Sequence, residues 1–211
     1  MDLRELRRLD GAFVLVTYRG DRSPWCCGEL VRLRAALPRL HDSGADVVAL
    51  SGEDPARAAA MARRWHLPFP VRSDPDGRRW LRALGLWDDN TLPASARPAV
   101  LVVAPHGTVV DEFRCRDDAD RQDDLLVFEA LDALGAAPID PPRWTPEVPP
   151  VAEADHEAFP PALFGPYFHA VRDTAGALAT RLRDEHDQIE AQRTQRMAQS
   201  FLDAWHALTE R

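Results

Sequence analysis

The run Phe13-Val14-Leu15-Val16-Thr17 meets Ser23-Pro24-Trp25-Cys26-Cys27-Gly28-Glu29-Leu30 across one short turn, and this junction limits the fold more than any other stretch. The run is apolar and rich in β-branched residues, which suits a strand buried on both faces. Leu30, Leu33, Leu37 and Leu40 then recur at helical spacing, predicting a helix over about residues 24–41 with Pro24 in its first turn. Pro38 falls inside it and is expected to bend or restart it. A strand feeding a helix in this way calls for a sheet with helices packed on its faces. It also sets Cys26 at a helix N-terminus, where backbone N–H groups lack intrahelical partners and carry partial positive charge. That field favours thiolate, the reactive form of cysteine. Cys26 is therefore the leading candidate for a reactive atom. The competing reading is a small apolar residue buried at a helix start.

Strand and helix signals keep alternating downstream. Asp46-Val47-Val48-Ala49-Leu50-Ser51 reads as a second buried strand, and Asp54 caps a helix with Pro55 at its first position, running through Ala58, Met61, Ala62 and Trp65. Ser73-Asp74-Pro75-Asp76-Gly77 reads as a turn, followed by a short helix around Trp80 and Leu84 that ends at Gly85. Residues 99–103 and 108–114 flank the turn Pro105-His106-Gly107 as a hairpin, and a helix over about residues 122–134 follows. Two parallel strands joined by a crossover, an antiparallel hairpin and a closing helix make a thioredoxin-type α/β arrangement, a mixed sheet flanked by helices.

Residues 138–161 are dense in proline and read as an extended linker or surface wrap between a domain at 1–137 and a helical extension at 162–211. In the extension, Phe164, Phe168, Val171, Ala175, Leu178 and Leu182 recur at helical spacing, as do Ile189, Met197, Phe201, Trp205 and Leu208. The polar residues from 183 to 195 form either a turn or a solvated middle. Helices with such a stripe rarely stand alone in water. They are expected to pack over the active face or to form a homodimer.

Composition narrows the function classes. A net charge of -8 argues against nucleic acid, whose phosphates call for a basic face. The opening Met1-Asp2-Leu3-Arg4-Glu5-Leu6-Arg7-Arg8 has no long apolar core, so neither a signal peptide nor a membrane span is expected. Three cysteines are too few and oddly numbered for a disulfide scaffold, which predicts a cytoplasmic protein with reduced thiols. There is no zinc-type Cys/His spacing and no Gly-rich phosphate loop after a strand, so no metal or organic cofactor is expected. Cys27 points about 100° round the helix from Cys26. It is expected to pack as a core thiol, with a resolving or metal role as the minority reading. Cys115, where the hairpin strand returns to the end carrying Cys26, is a candidate resolving thiol. The opposing reading is a sheet-edge cysteine too distant for a bridge, which needs Cα atoms within about 7 Å.

With these elements placed, Ser23-Pro24-Trp25-Cys26 followed by Glu29-Leu30 resembles the peroxiredoxin family, in its alkyl hydroperoxide reductase/thiol-specific antioxidant (redoxin) branch of the thioredoxin superfamily. The family pattern is Thr or Ser, two residues, the peroxidatic Cys, two residues, then Glu. Tyr18-Arg19-Gly20, Ser73-Asp74-Pro75, Gly85, Pro98-Ala99 and Gly107 extend the resemblance, which covers about residues 11–135. It implies a cofactor-free, thiol-dependent peroxidase for hydrogen peroxide or small organic hydroperoxides, with Cys26 becoming a sulfenic acid and an external thiol as reductant. The implied roles give the Ser23 hydroxyl to the thiolate and peroxide, and give Arg97 the tasks of lowering the thiol pKa and stabilising charge on oxygen. Pro98 matches the cis-proline whose loop faces the cysteine beside Pro24 and Trp25. Glu29 is read as anchoring an arginine or capping the helix, with a solvated carboxylate nearly as good a reading.

The chain departs from the pattern in three ways. Only about ten residues precede the first strand. Ser23 stands where Cys-x-x-Cys members have their first cysteine, which speaks against disulfide exchange. Counting back from Gly107, the family's arginine position falls on Pro98, with Arg97 one residue early. Two alternatives follow: a non-catalytic thioredoxin-fold binding or scaffold module, and a thiol-disulfide oxidoreductase.

Overall fold

A strand of seven consecutively buried residues, β1 (Ala12–Tyr18), lies at the centre of a five-stranded sheet. The computed structural model describes residues 2–91, 93–147 and 157–209. From β1 the chain enters α1 (Pro24–Asp42), returns as the parallel strand β2 (Ala45–Ser51), and crosses through α2 (Pro55–Arg64) to the parallel edge strand β3 (Val71–Ser73). A two-stranded ladder of β4 (Trp87–Asp88) and β5 (Ser95–Ala96) precedes the hairpin. In the hairpin, β6 (Ala99–Val103) runs antiparallel to β1, and β7 (Val109–Arg114) antiparallel to β6. The strand order is β3-β2-β1-β6-β7, with α3 (Asp124–Leu134) following. This is the thioredoxin-type architecture expected from the element order. Thr17 faces Ala99 and Ala99 faces Arg114, so the end of β1, the start of β6 and the end of β7 meet at one edge of the sheet.

Several local readings change. Helix α1 runs unbroken through Pro38, which removes one N–H from the helix without ending it. Residues 78–85 are turns rather than a helix. The buried Asp74 carboxylate takes the N–H groups of Arg79, Trp80 and Leu81 at 3.2, 2.8 and 2.9 Å, gathering three successive donors at one point. The strand β3 and the β4–β5 ladder escape sequence reading because runs of two or three residues carry no periodicity.

The C-terminal extension is a hairpin of α4 (Phe164–Arg181) and α5 (Glu185–Thr209). Asp184 decides between the turn and the continuous helix, because its carboxylate accepts from the N–H groups of His186 and Asp187 at 2.9 and 3.2 Å and starts α5. The aromatic stripe is buried within the chain, against α1. Trp25 meets Phe168 and Phe201 edge-on, with ring centroids 5.6 and 5.8 Å apart. A Cβ on Gly28 would stand 2.5 Å from the Phe201 ring and 3.0 Å from Phe168, so only glycine lets the hairpin settle so close to the cysteine-bearing helix. Helix α1 and the hairpin thus share one apolar core. Before the hairpin, the proline-rich stretch lies along the surface, with Ile139 N–H on the His41 carbonyl at 2.9 Å and Trp144 N–H on that of Pro68 at 3.1 Å. Within that stretch, residues 148–156 lie outside the described residues.

Candidate active site

The loop between β1 and α1 is fixed before it reaches the cysteine. Asp21 N–H donates to Glu53 at 3.0 Å, and the buried Asp21 carboxylate takes Arg57 at 2.7 Å and Arg64 at 3.2 Å. Burial, and then the neighbouring Asp21 charge, push the Glu53 carboxyl up to about 7. Ser23 ends the loop as the N-cap of α1, its Oγ accepting from Cys26 N–H at 3.3 Å. Pro24 takes the first helical position, where a missing N–H costs nothing.

The Cys26 sulfur is 1% exposed and sits between two donors, Arg19 N–H at 3.4 Å and Arg121 Nη2 at 3.6 Å. The other arm of the same guanidinium, Nη1, donates to Cys115 Sγ at 3.3 Å and to the Asp120 carbonyl at 3.1 Å. One buried cation therefore spans two sulfurs. Its Nε lies 3.9 Å from Glu29 Oε2, and Glu29, itself buried, takes Arg32 Nη2 on both oxygens at 3.0 Å. Burial alone would pull Arg121 down, but Cys26, Glu29 and Cys115 outweigh it and the guanidinium is raised, so it stays charged. A cavity of about 10 Å³, roughly the room one water needs, lies against Cys26 between Thr17, Pro98, Cys115 and Arg121. The arrangement suits attack by sulfur on a small electrophile, with a cation ready for negative charge on the departing atom.

Among the residues singled out from sequence, Cys26, Glu29, Pro98 and Cys115 line this cavity. Pro24 and Trp25 share the first turn of α1 with Cys26 but do not line it, and Trp25 packs on Phe168 and Phe201 instead. Arg97 does not belong with them. Its side chain is half exposed and its Nε lies 3.5 Å from Asp88, because the residue starts the hairpin on the outer side and its carbonyl, not its guanidinium, turns inward to Thr17 Oγ1 at 2.6 Å. The arginine at the sulfur is Arg121, which sequence reading missed. The signal was there: the strand that brings Cys115 back to the active edge also delivers the loop after it. Ser23 serves the helix rather than the sulfur, since an N-cap oxygen faces the N–H three residues on. Cys27 points into the core with its S–H on the Asp21 carbonyl at 3.7 Å, and burial followed by the Cys26 charge pushes its thiol well above the usual range. That orientation commits its S–H to the β1–α1 loop and keeps it off the wall of the Cys26 cavity.

Cys115 is half-buried, and burial pushes its thiol up to about 12, Arg121 only partly opposing this. A raised pKa keeps the sulfur protonated and neutral at pH 8, and thiolate is the nucleophile. Iodoacetamide at pH 8 is therefore expected to modify Cys115 far more slowly than an unfolded-chain cysteine, as read by peptide mass spectrometry. Equal rates for the two would remove this assignment. Among the described residues, no group of three His, Cys, Asp or Glu is placed to hold a metal ion, and no helix is long and apolar enough to cross a membrane.

A cysteine in the first turn of the helix after the central strand of a mixed sheet defines a thioredoxin-fold thiol protein. The family model for the AhpC/TSA family matches residues 2–112, and the chain belongs to that family. Chloroplastic Peroxiredoxin Q of Populus jackii is 33% identical over 82 residues, 38% of this chain and 38% of that protein. That of Gentiana triflora is 31% identical over 98 residues, 46% and 43% of the two chains. The chain thus spans about two-fifths of the length of these curated relatives. Peroxidoxin BcpB from Mycobacterium tuberculosis superposes with a TM-score of 0.52 at 21% identity, covering 59% of this chain and 80% of that one. Enterococcus faecalis AhpC gives 0.53 at 22% identity over 59% and 75%. Both structures share the fold of this chain.

Proposed function

We propose that this protein is a thiol-dependent peroxidase acting on hydrogen peroxide or a small organic hydroperoxide. The observation that carries this reading is the buried Cys26 sulfur at a helix N-terminus, with the Arg121 guanidinium 3.6 Å away. The Cys26 thiolate attacks one peroxide oxygen and the O–O bond breaks. The sulfur, oxidised by two electrons, becomes sulfenic acid, and the second oxygen leaves with the bond pair and takes up a proton as water or alcohol. Arg121 stabilises the charge on that leaving oxygen, and Glu29 holds the guanidinium in place. The small cavity favours hydrogen peroxide over bulky peroxides. Because Cys27 is turned away and Cys115 is held as a thiol, an external thiol attacks the sulfenic sulfur and releases water, and a second thiol then frees Cys26 from the mixed disulfide.

Three free cysteines support a reducing, cytoplasmic setting; in-cell thiol trapping that finds them oxidised would count against it. A homodimer through the hairpin has Leu178 and Ile189, each nearly half exposed, as its apolar contacts; a monomer mass by light scattering at micromolar concentration would remove it. For the peroxidase itself, one equivalent of hydrogen peroxide is expected to add one oxygen atom to the protein within seconds, mapping to Cys26. Slow, even oxidation of all three cysteines would defeat the reading.

A further inference from the structure

We propose that Arg193, on α5, is a positioning residue for Arg121, so that the C-terminal hairpin sets the reactivity of Cys26. Residues 115–123 form no helix or strand of their own, yet they carry a buried guanidinium that must face one sulfur. Asp117 and Asp120 tie the backbone of residues 116–120 within the loop, while the carbonyls of Arg121 and Gln122 are held from outside it. Arg193 Nη2 donates to the Arg121 carbonyl at 2.9 Å, and its Nη1 lies 2.8 Å from Asp120 Oδ1. The planar fork of arginine thereby grips a carbonyl and a carboxylate in consecutive residues. Asp120 is buried and takes the Arg116 backbone N–H at 2.9 Å and its Nε at 3.0 Å on the other oxygen, so Arg193 is one of two cations that hold this carboxylate. Arg116 also reaches Glu190 of α5 at 2.6 Å, and the Gln122 carbonyl accepts from Arg32 Nη2 at 2.9 Å.

Helix α5 can act as a reference because its own place is fixed against α1. Phe201 fills the groove over Gly28, and Met197 Sδ meets Arg32 Nη1 at 3.3 Å. The helix that carries Cys26 thus locates α5, and α5 locates the loop that returns Arg121 to Cys26. The family match spans residues 2–112, and Arg121, the loop around it and the hairpin lie beyond that span.

The inference rests on the peroxidase reading only for its peroxide arm, and the test separates the two. Arg193→Met, Arg193→Lys, Arg121→Met and the double variant Arg121→Met/Arg193→Met are made in the full chain. For each, rates of Cys26 alkylation by iodoacetamide at pH 7 and of oxidation by hydrogen peroxide are followed by peptide mass spectrometry. Arg193 is about one-third exposed, so its replacement is expected to leave the fold intact, as a thermal melt would verify. Arg193→Met is expected to lower both rates by about 10-fold, through misplacement of the guanidinium. Arg193→Lys keeps the charge without the fork and is expected to fall between. In the Arg121→Met background, Arg193→Met is expected to have no further effect, since its route to the sulfur is gone. Losses that multiply in the double variant, or an alkylation rate indifferent to Arg193, would overturn the positioning role. Slow peroxide oxidation of the wild type beside Arg193-dependent alkylation would instead overturn the peroxidase reading and keep this one.

Discussion

Arg121→Met is expected to slow oxidation of Cys26 by hydrogen peroxide by about 10²–10³-fold, the cost of removing one preorganised charge donor from a buried site. Arg97→Met is expected to leave the rate within about twofold, as for an ordinary surface substitution. The contrast follows from placement: Arg121 is buried with a guanidinium nitrogen 3.6 Å from the sulfur, whereas Arg97 is half exposed and paired with Asp88. Methionine preserves bulk and burial, so the loss reports charge rather than collapse. Rapid-quench mass spectrometry across peroxide concentrations supplies the second-order constants. A large loss for Arg97→Met with little for Arg121→Met would reverse the assignment of the active-site cation.

Cys26→Ser is expected to abolish the rapid gain of one oxygen atom. Serine is isosteric enough to preserve the first turn of α1, and its hydroxyl does not reduce a peroxide. Residual oxidation then falls to Cys27 and Cys115, both with thiols pushed above the usual range, and is expected to be slower by about 10⁴-fold or more, as when a nucleophile is removed. An undiminished rate in this variant would move the chemistry to another thiol.

The uneven legibility of this chain has a physical cause. β1, α1 and the hairpin were readable because long apolar runs and helical spacings repeat often enough to be seen. Cys26 was readable because its position depends only on where β1 stops and α1 starts, two neighbouring events. The arginine was not, because its identity depends on how the loop after β7 folds back over the sheet edge. Counting residues from Gly107 pointed to Pro98 and its neighbour Arg97, on the near side of the hairpin. The residue that arrives is Arg121, on the far side, through a segment with no periodicity. The side of α1 that the hairpin covers was open for a similar reason. The stripe of Phe164, Phe168 and Phe201 told that a partner existed, but only the bare backbone at Gly28 selects the groove beside Cys26.

That groove has a consequence for how the molecule comes into being. Strands β1 to β7 and helix α1 are synthesised well before Phe201, yet the α1 surface bearing Trp25 and Gly28 is finished only when the rings of α4 and α5 arrive. A nascent chain on the ribosome therefore holds a nearly complete sheet with one unfinished apolar wall until α5 emerges. During that interval the wall is open to chaperones and to other growing chains. Full assembly of the oxidisable centre thus waits for α5 rather than following directly from the folding of the sheet.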